Sequence, residues 1–418
     1  MLGVRDLPAA RCTDIPPAWT NAADLTTSIY EDLTEAAPLR GAWDHLVATC
    51  HGDVYFTYDW CRAWWAHYGR RRRSRVFVFH ADGELVGIIP LVVERVWIGP
   101  LSVRLGRLMG ADSTLAVLHP PVQRRYAAAA YRKVIAHVLG GVGCEALSFS
   151  HLSGECDLSA DIRRACQAPQ RVYMVLDRST APYTVLHLPA TFDDYLNSLS
   201  KSERKGYRQD ARRLSECGTL TMHRYHGVEE LATAIVRFEA LHRKQWRQIG
   251  KQGHFDDWPD SAAFTRRLLR DLASFGRAEV SEMMLDDITL VMQLSFRLGT
   301  SLYWRLPARN VDPEWERYSI GRIAAMEEIK EAIASGVTRI EAGAGHYPYK
   351  QRLGGSEYRL RSLLITRALW WPRLKARILC AWADLLNLAY YRIWFQRLAP
   401  RLFLCRRPLW RSWIRTRL

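Results

Sequence analysis

The chain has no stretch of about 20 apolar residues free of charge, the length a bilayer-spanning helix needs. Its nearest approach, within residues 369–398, is interrupted by Asp384, Asn387 and Arg392. A spanning segment is therefore not expected. The nine cysteines include no CxxC pair. An odd number scattered from Cys12 to Cys405, without metal-ligand or disulfide-framework spacing, fits reduced thiols in a cytosolic protein, and no metal is expected. The N-terminus has no charged start followed by an apolar run, so no secretion signal is expected. Acids are scarce at the far end: residues 368–418 hold eleven Lys or Arg against Asp384 alone, so about +10 of the formal net charge of +16 lies there. What is present is globular in kind, 48% apolar and 24% charged, which excludes wholesale disorder. At 418 residues the chain has room for two or three domains of about 150 residues. The positive charge calls for an anionic partner: nucleic acid, membrane surface, phosphorylated cofactor or acidic protein.

In order along the chain, residues 1–28 read as a loose leader. Helical patterns follow at Leu39 to Cys50 and, Trp-rich, at Tyr58 to Tyr68. Apolar runs on both sides of Asp82-Gly83 predict a hairpin. Strand-like pieces lie at Trp97 to Leu105 and Leu115 to Leu118, a helix at Val122 to Leu139, and strands at Glu145 to Phe149 and Arg171 to Leu176. A second unit of similar design follows, with helices at 191–214, 228–247 and 261–275 and a three-strand meander from Ala278 to Leu306. Lys201, Arg204 or Lys205, Arg208 and Arg212 fall on one stripe and form a cationic ridge, or a solvated helix face.

The stretch from Tyr318 to Gly355 carries the most chemistry. Ile323, Met326, Ile329 and Ile333 have helical spacing, so a helix begins near Ser319 and ends at Gly336. Its opening amides, at Ser319, Ile320, Gly321 and Arg322, present N–H groups and a positive dipole end to an anion. A short strand, Val337 to Ile340, then delivers Glu341 to a Gly-rich turn, and Tyr349 and Lys350 stand on the same rim.

The segments YFTYDWCRAWWAHYG and ADGELVGIIPL in the first half, and LSKSERKGYRQDARRLSECG, FEALHRKQWRQIGKQGHF and EAGAGHYPYKQRLGG in the second, together resemble the CelD/BcsL-type acyltransferases, a branch of the GNAT superfamily with a FemAB-like double fold. The resemblance covers about Ile29 to Leu364. It departs where His346-Tyr347-Pro348 stand in place of the acid common before the Tyr-Lys pair, and where Glu341 replaces the more usual Asp. It implies an α+β fold of two tandem GNAT-like domains, 29–178 and 179–366, with mixed central sheets flanked by helices, followed by a helical tail, 367–418. It implies acyl transfer from acyl-coenzyme A, acetyl-CoA being the expected donor, to an amine or hydroxyl acceptor. The base is then Glu341, His346 or His242. Tyr349 protonates the leaving thiolate or packs; Lys350 meets a phosphate or carboxylate, or bridges to Glu341. His242 and Trp246 form core or cleft wall. The ridge at Lys201, Arg204, Lys205 and Arg208 takes an anionic substrate or an acyl carrier protein. Two rival readings are aminoacyl transfer from tRNA, which the FemAB resemblance allows, and a non-catalytic accessory role at a membrane in polysaccharide assembly.

In the tail, the stripe from Leu374 to Trp394, with Arg373, Lys375, Arg377, Arg392 and Arg397 beside it and Trp at its boundaries, suits the headgroup region of an anionic bilayer. The alternative is a helix docked on the protein body. A cytoplasmic protein, peripheral at the inner face of the membrane, is the resulting expectation.

Overall fold

The computed structural model describes residues 25–111, 117–155, 158–167, 172–250, 253–257, 260–402 and 409–418; most of the expected leader lies outside them. Two compact units are present, residues 1–180 with 358–418, and residues 181–357. The boundary expected at 366 thus falls near 357, and the tail groups with the first unit rather than standing apart.

The first unit opens with β1 (Thr26–Tyr30), then α1 (Arg40–Thr49) and α2 (Tyr58–Tyr68). Trp43, Trp60 and Trp64 are fully buried, so the aromatic spacing of these helices is core spacing. The hairpin of β2 (Arg73–Ala81) and β3 (Glu84–Ile98) closes at Asp82 and Gly83, whose φ values of 51° and 80° are those of a primed turn. β3 runs unbroken to Ile98 and β4 follows at Leu101–Leu108, where separate pieces were expected. No strand forms at residues 117–118, and 112–116 are outside the described residues. Next come α3 (Ala127–Ala136), β5 (Ala146–Leu152), α4 (Leu158–Ala165) and β6 (Tyr173–His187). The pairs β1–β2, β2–β3 and β3–β4 are antiparallel, whereas β4 and β5 are parallel over Leu105–Arg107 and Ala146–Ser148.

The second unit repeats that plan. After α5 (Phe192–Ser198) and α6 (Lys201–Ser215), each started by a hydroxyl cap from Thr191 and Ser200, come β7 (Leu220–Tyr225), α7 (Val228–Gln248), α8 (His254–Asp257) and α9 (Ser261–Ala273). Then follow β8 (Ala278–Leu285), β9 (Ile288–Leu298), β10 (Ser301–Arg309), α10 (Ile320–Ala334), β11 (Arg339–Ala344) and α11 (Pro348–Arg352). The strands lie in the order β7-β8-β9-β10-β11-β6, all antiparallel except β10 with β11. Leu302, Ile340 and Ala342 from the strands pack with Met326, Ile329 and Ile333 of α10 and with α5 and α6. On α7, Leu231, Ile235 and Phe238 are buried; this helix packs on α9 and on β10. Gly336, at φ 77°, ends α10 in the left-handed turn a helix C-terminus favours.

β12 (Ser356–Arg367) returns antiparallel to β5 of the first unit, to which it belongs from Tyr358 onward. α12 (Trp370–Leu385) continues as a π-helical segment, Leu386–Leu398, followed by α13 (Ala399–Arg401) and α14 (Trp410–Arg415). Ala376, Leu379 and Ala383 of α12 pack on Val96, Val103 and Leu105. The Arg107 guanidinium donates to the Arg415 and Arg417 carbonyls. One stripe of the tail therefore docks on the first unit, the alternative anticipated above.

Candidate active site

β10 and β11 pair only where Ser301, Leu302 and Tyr303 face Arg339, Ile340 and Glu341. Beyond this, β10 runs on to Arg309 and β11 to Ala344 without pairing to each other. Each strand is irregular where the two part: β10 shifts register against β9 between Trp304 and Leu306, and β11 against β6 between Glu341 and Gly343. A bulge bends and twists its strand, so both irregularities serve the separation. Gly343, at φ 86°, takes a conformation that strains any side-chain-bearing residue. The result is a slot inside a sheet, edged by main-chain donors and acceptors.

Lys350 stands at this slot. The first turn of α11 buries its side chain, and Nζ donates to the carbonyls of Gly343 (3.0 Å) and Ala344 (3.4 Å) while lying 4.8 Å from the centre of the Tyr347 ring. Burial pulls this ammonium down to about 8, with Glu357 opposing. An ammonium has three donors; two are placed, which leaves one for a bound group. The bridge to Glu341 considered above does not form.

Glu341 lies inside β11 rather than on a loop and is 2% exposed. Its Oε1 accepts from Arg339 Nε at 2.6 Å. Residues two apart on a strand share a face, so the partner follows from the Arg-Ile-Glu order. The Arg339 guanidinium thus occupies one oxygen of this carboxylate. His346 is exposed, with Nδ1 2.9 Å from Glu357 Oε2. That imidazole–carboxylate pair orients the ring as a general base requires. Tyr349 sits against Tyr347, ring centres 6.0 Å apart, and desolvation pushes its hydroxyl up to about 12, so it stays protonated.

At the start of α10, Ser319 is left-handed at φ 53°, and its carbonyl accepts from Arg322 and Ile323. A Cβ on Gly321 would meet nothing within 4 Å. The helix end is open at that residue, while Ile320 is buried in core. Arg322 is turned aside: it pairs with Asp210 and with Glu203 (3.6 Å) on α6.

The α6 ridge divides in two. Arg204 donates to the carbonyls of Leu196, Asn197 and Leu199 and so closes the end of α5. Lys201, Lys205 and Arg208 are exposed. His242 is far from a proton-transfer setting: it lies 1% exposed among Phe238, Trp246, His254 and Phe255, and burial lowers it to about 4. Trp246 belongs to the same ring cluster. Sequence reading missed Arg339 and Glu357, and also a buried carboxylate pair, Glu279 and Glu328. Among the described residues no group of three or more His, Cys, Asp or Glu could hold a metal ion.

No curated protein matches the chain. The model of the acetyltransferase (GNAT) domain matches residues 201–351, a span that includes β10, α10, β11 and Lys350. Among solved structures, FemX is 12% identical and superposes over 81% of this chain and 96% of its own, with a TM-score of 0.57. A conserved protein of unknown function from Bacteroides thetaiotaomicron is 10% identical over 82% and 100% of the two chains, with a TM-score of 0.49. L-PGS from Bacillus licheniformis is 11% identical over 81% and 95%, with a TM-score of 0.47. At such identities the likeness is one of fold, and of these three the FemX superposition carries it. The fold of this chain is GNAT/FemAB-like and α+β, and residues 201–351 are similar to the acetyltransferase (GNAT) domain.

Proposed function

We propose that the second unit transfers an acyl group, in the simplest case acetyl, from a coenzyme A thioester to an amine or hydroxyl. The observation that carries this reading is the parting of β10 and β11 with Lys350 at the opening. An extended donor arm that bears amides, as the pantetheine of coenzyme A does, can lie between two parted strands and hydrogen-bond to both, the physics of strand addition. The thioester then reaches the end of β11. The open end of α10 at Gly321 offers N–H groups and a positive dipole to the donor's pyrophosphate.

The acceptor attacks the thioester carbonyl; a C–N or C–O bond forms, the C–S bond breaks, and the acceptor's proton must leave. The His346–Glu357 pair takes that proton. The remaining N–H of Lys350 steadies the oxyanion and passes a proton to the departing thiolate. An ammonium near 8 is at least as acidic as an ordinary thiol, about 8.5 or above, so that transfer runs towards the thiolate.

Release of free thiol from acetyl-CoA and longer acyl-CoA, with panels of amines and sugars as acceptors, tests the reading. Turnover is expected, with Lys350→Met lowering kcat by ~10²–10⁴. Absence of both turnover and calorimetric binding for every CoA thioester overturns it.

A further inference from the structure

The tail has a second face that the docking on the first unit does not use. Trp370, Leu374, Leu385 and Leu388 recur at steps of four, eleven and three residues, which is one side of a helix at ~3.6 residues per turn. The buried Ala376, Leu379 and Ala383 lie on the opposite side. The outward residues are large and bare: Trp370 is 74% exposed, Leu385 51% and Leu388 56%. Past residue 386 the step changes to five, with Leu388, Ile393 and Leu398 all exposed. A step of five keeps one side in a π-helix, so the widened helix carries the ridge onward. Arg373 and Arg377 flank its first half, and Arg392 and Arg397, also five apart, its second; all four are exposed. None of the four pairs with a described acid.

We propose that this ridge rests on the headgroup region of an anionic lipid bilayer, its Trp and Leu side chains among the upper acyl chains and its arginines on lipid phosphates. Three observations choose this occupant. The surface is a convex single-helix ridge rather than a groove, so it presents itself to a plane. Its unpaired cations recur along the whole length, and anionic lipids meet every one of them, whereas a protein partner would have to set an acid opposite each. Finally, no helix of the described residues is long and apolar enough to cross a membrane, so the contact is interfacial. The proposal does not rest on the reaction assigned above.

Flotation of the full chain with vesicles of phosphatidylcholine alone, and of phosphatidylcholine mixed with phosphatidylglycerol, tests it. Binding to the anionic vesicles is expected, and it weakens with salt. At roughly fivefold per cation, the variant Arg373→Gln/Arg377→Gln/Arg392→Gln/Arg397→Gln should bind several hundredfold more weakly, and Trp370→Ser/Leu388→Ser should lose binding to the anionic vesicles. All these side chains are exposed, so unchanged circular dichroism and melting will confirm that the variants fold. Failure to float with anionic vesicles, partitioning indifferent to lipid charge, or self-association that Leu388→Ser abolishes would each overturn the proposal, the last by assigning the ridge to a second copy.

Discussion

Replacing Glu328 by Gln should stabilise this protein at neutral and alkaline pH and leave it nearly unchanged in acid. Glu328 projects from α10 and is 3% exposed; Ser281 donates to its Oε2, and Oε1 has no hydrogen-bond partner. Desolvation first, and the neighbouring Glu279 second, raise its carboxyl to about 7, against Arg224, which pulls it down. The acid is thus held protonated to a pH where the unfolded chain has long since ionised. Its contribution is intact below the unfolded value of 4.5 and falls away as pH climbs from there to about 7. A displacement of about 2.5 units at ~1.4 kcal/mol each places the cost at roughly 3 kcal/mol above pH 7. Glutamine keeps the shape and the acceptor for Ser281 but cannot ionise. Chemical denaturation of both proteins across this range, followed by tryptophan fluorescence, should show a stability difference near zero at pH 4.5 that grows to roughly 3 kcal/mol in favour of Glu328→Gln at pH 8. A difference that does not vary with pH, or a variant less stable at pH 8, would refute the argument.

His242 gives the opposite dependence: its folded value is depressed to about 4, so the stability it allows is full above the unfolded value of 6.5 and is lost as pH falls towards 4, by roughly 3 kcal/mol. His242→Phe should remove that acid sensitivity and leave the pH profile of turnover untouched; a shifted profile would return His242 to the chemistry. Arg204→Ala should cost about 1–2 kcal/mol in a denaturation midpoint, because three carbonyls at the end of α5 lose their donor, whereas Lys205→Gln and Arg208→Gln should stay within ~0.5 kcal/mol. Equal effects at all three positions would mean that Arg204 is an ordinary surface cation.

The elements of the second unit were legible because their periodicities were clean: β7 runs over the expected Leu220 to Tyr225, and α10 lies between Ser319 and Gly336. The first unit was harder. β3 hides its length, since Glu94, buried in an ion pair with Arg107 (3.1 Å), reads from sequence as a break. The site was legible in outline only. Sequence marked residues 341–350 as chemical, but it treated charges by type and could not foresee that Arg339, on the same strand face, takes Glu341, or that the Lys350 ammonium turns to main-chain carbonyls. Arg204 shows the same limit, for a cationic stripe on a helix wheel does not reveal which member closes the preceding helix. The separation of β10 from β11 has no residue signature beyond Gly343, because it is a property of pairing between strands 38 residues apart in register, Leu302 opposite Ile340.

The central claim is that a donor arm lies between β10 and β11. Hydrogen–deuterium exchange of the full chain with and without coenzyme A addresses it most directly. Peptides covering residues 304–309 and 342–345 should gain protection on binding, while 301–303, already paired across the two strands, should change little. Binding that protects other segments and leaves both edges of the slot exchanging as before would contradict the account.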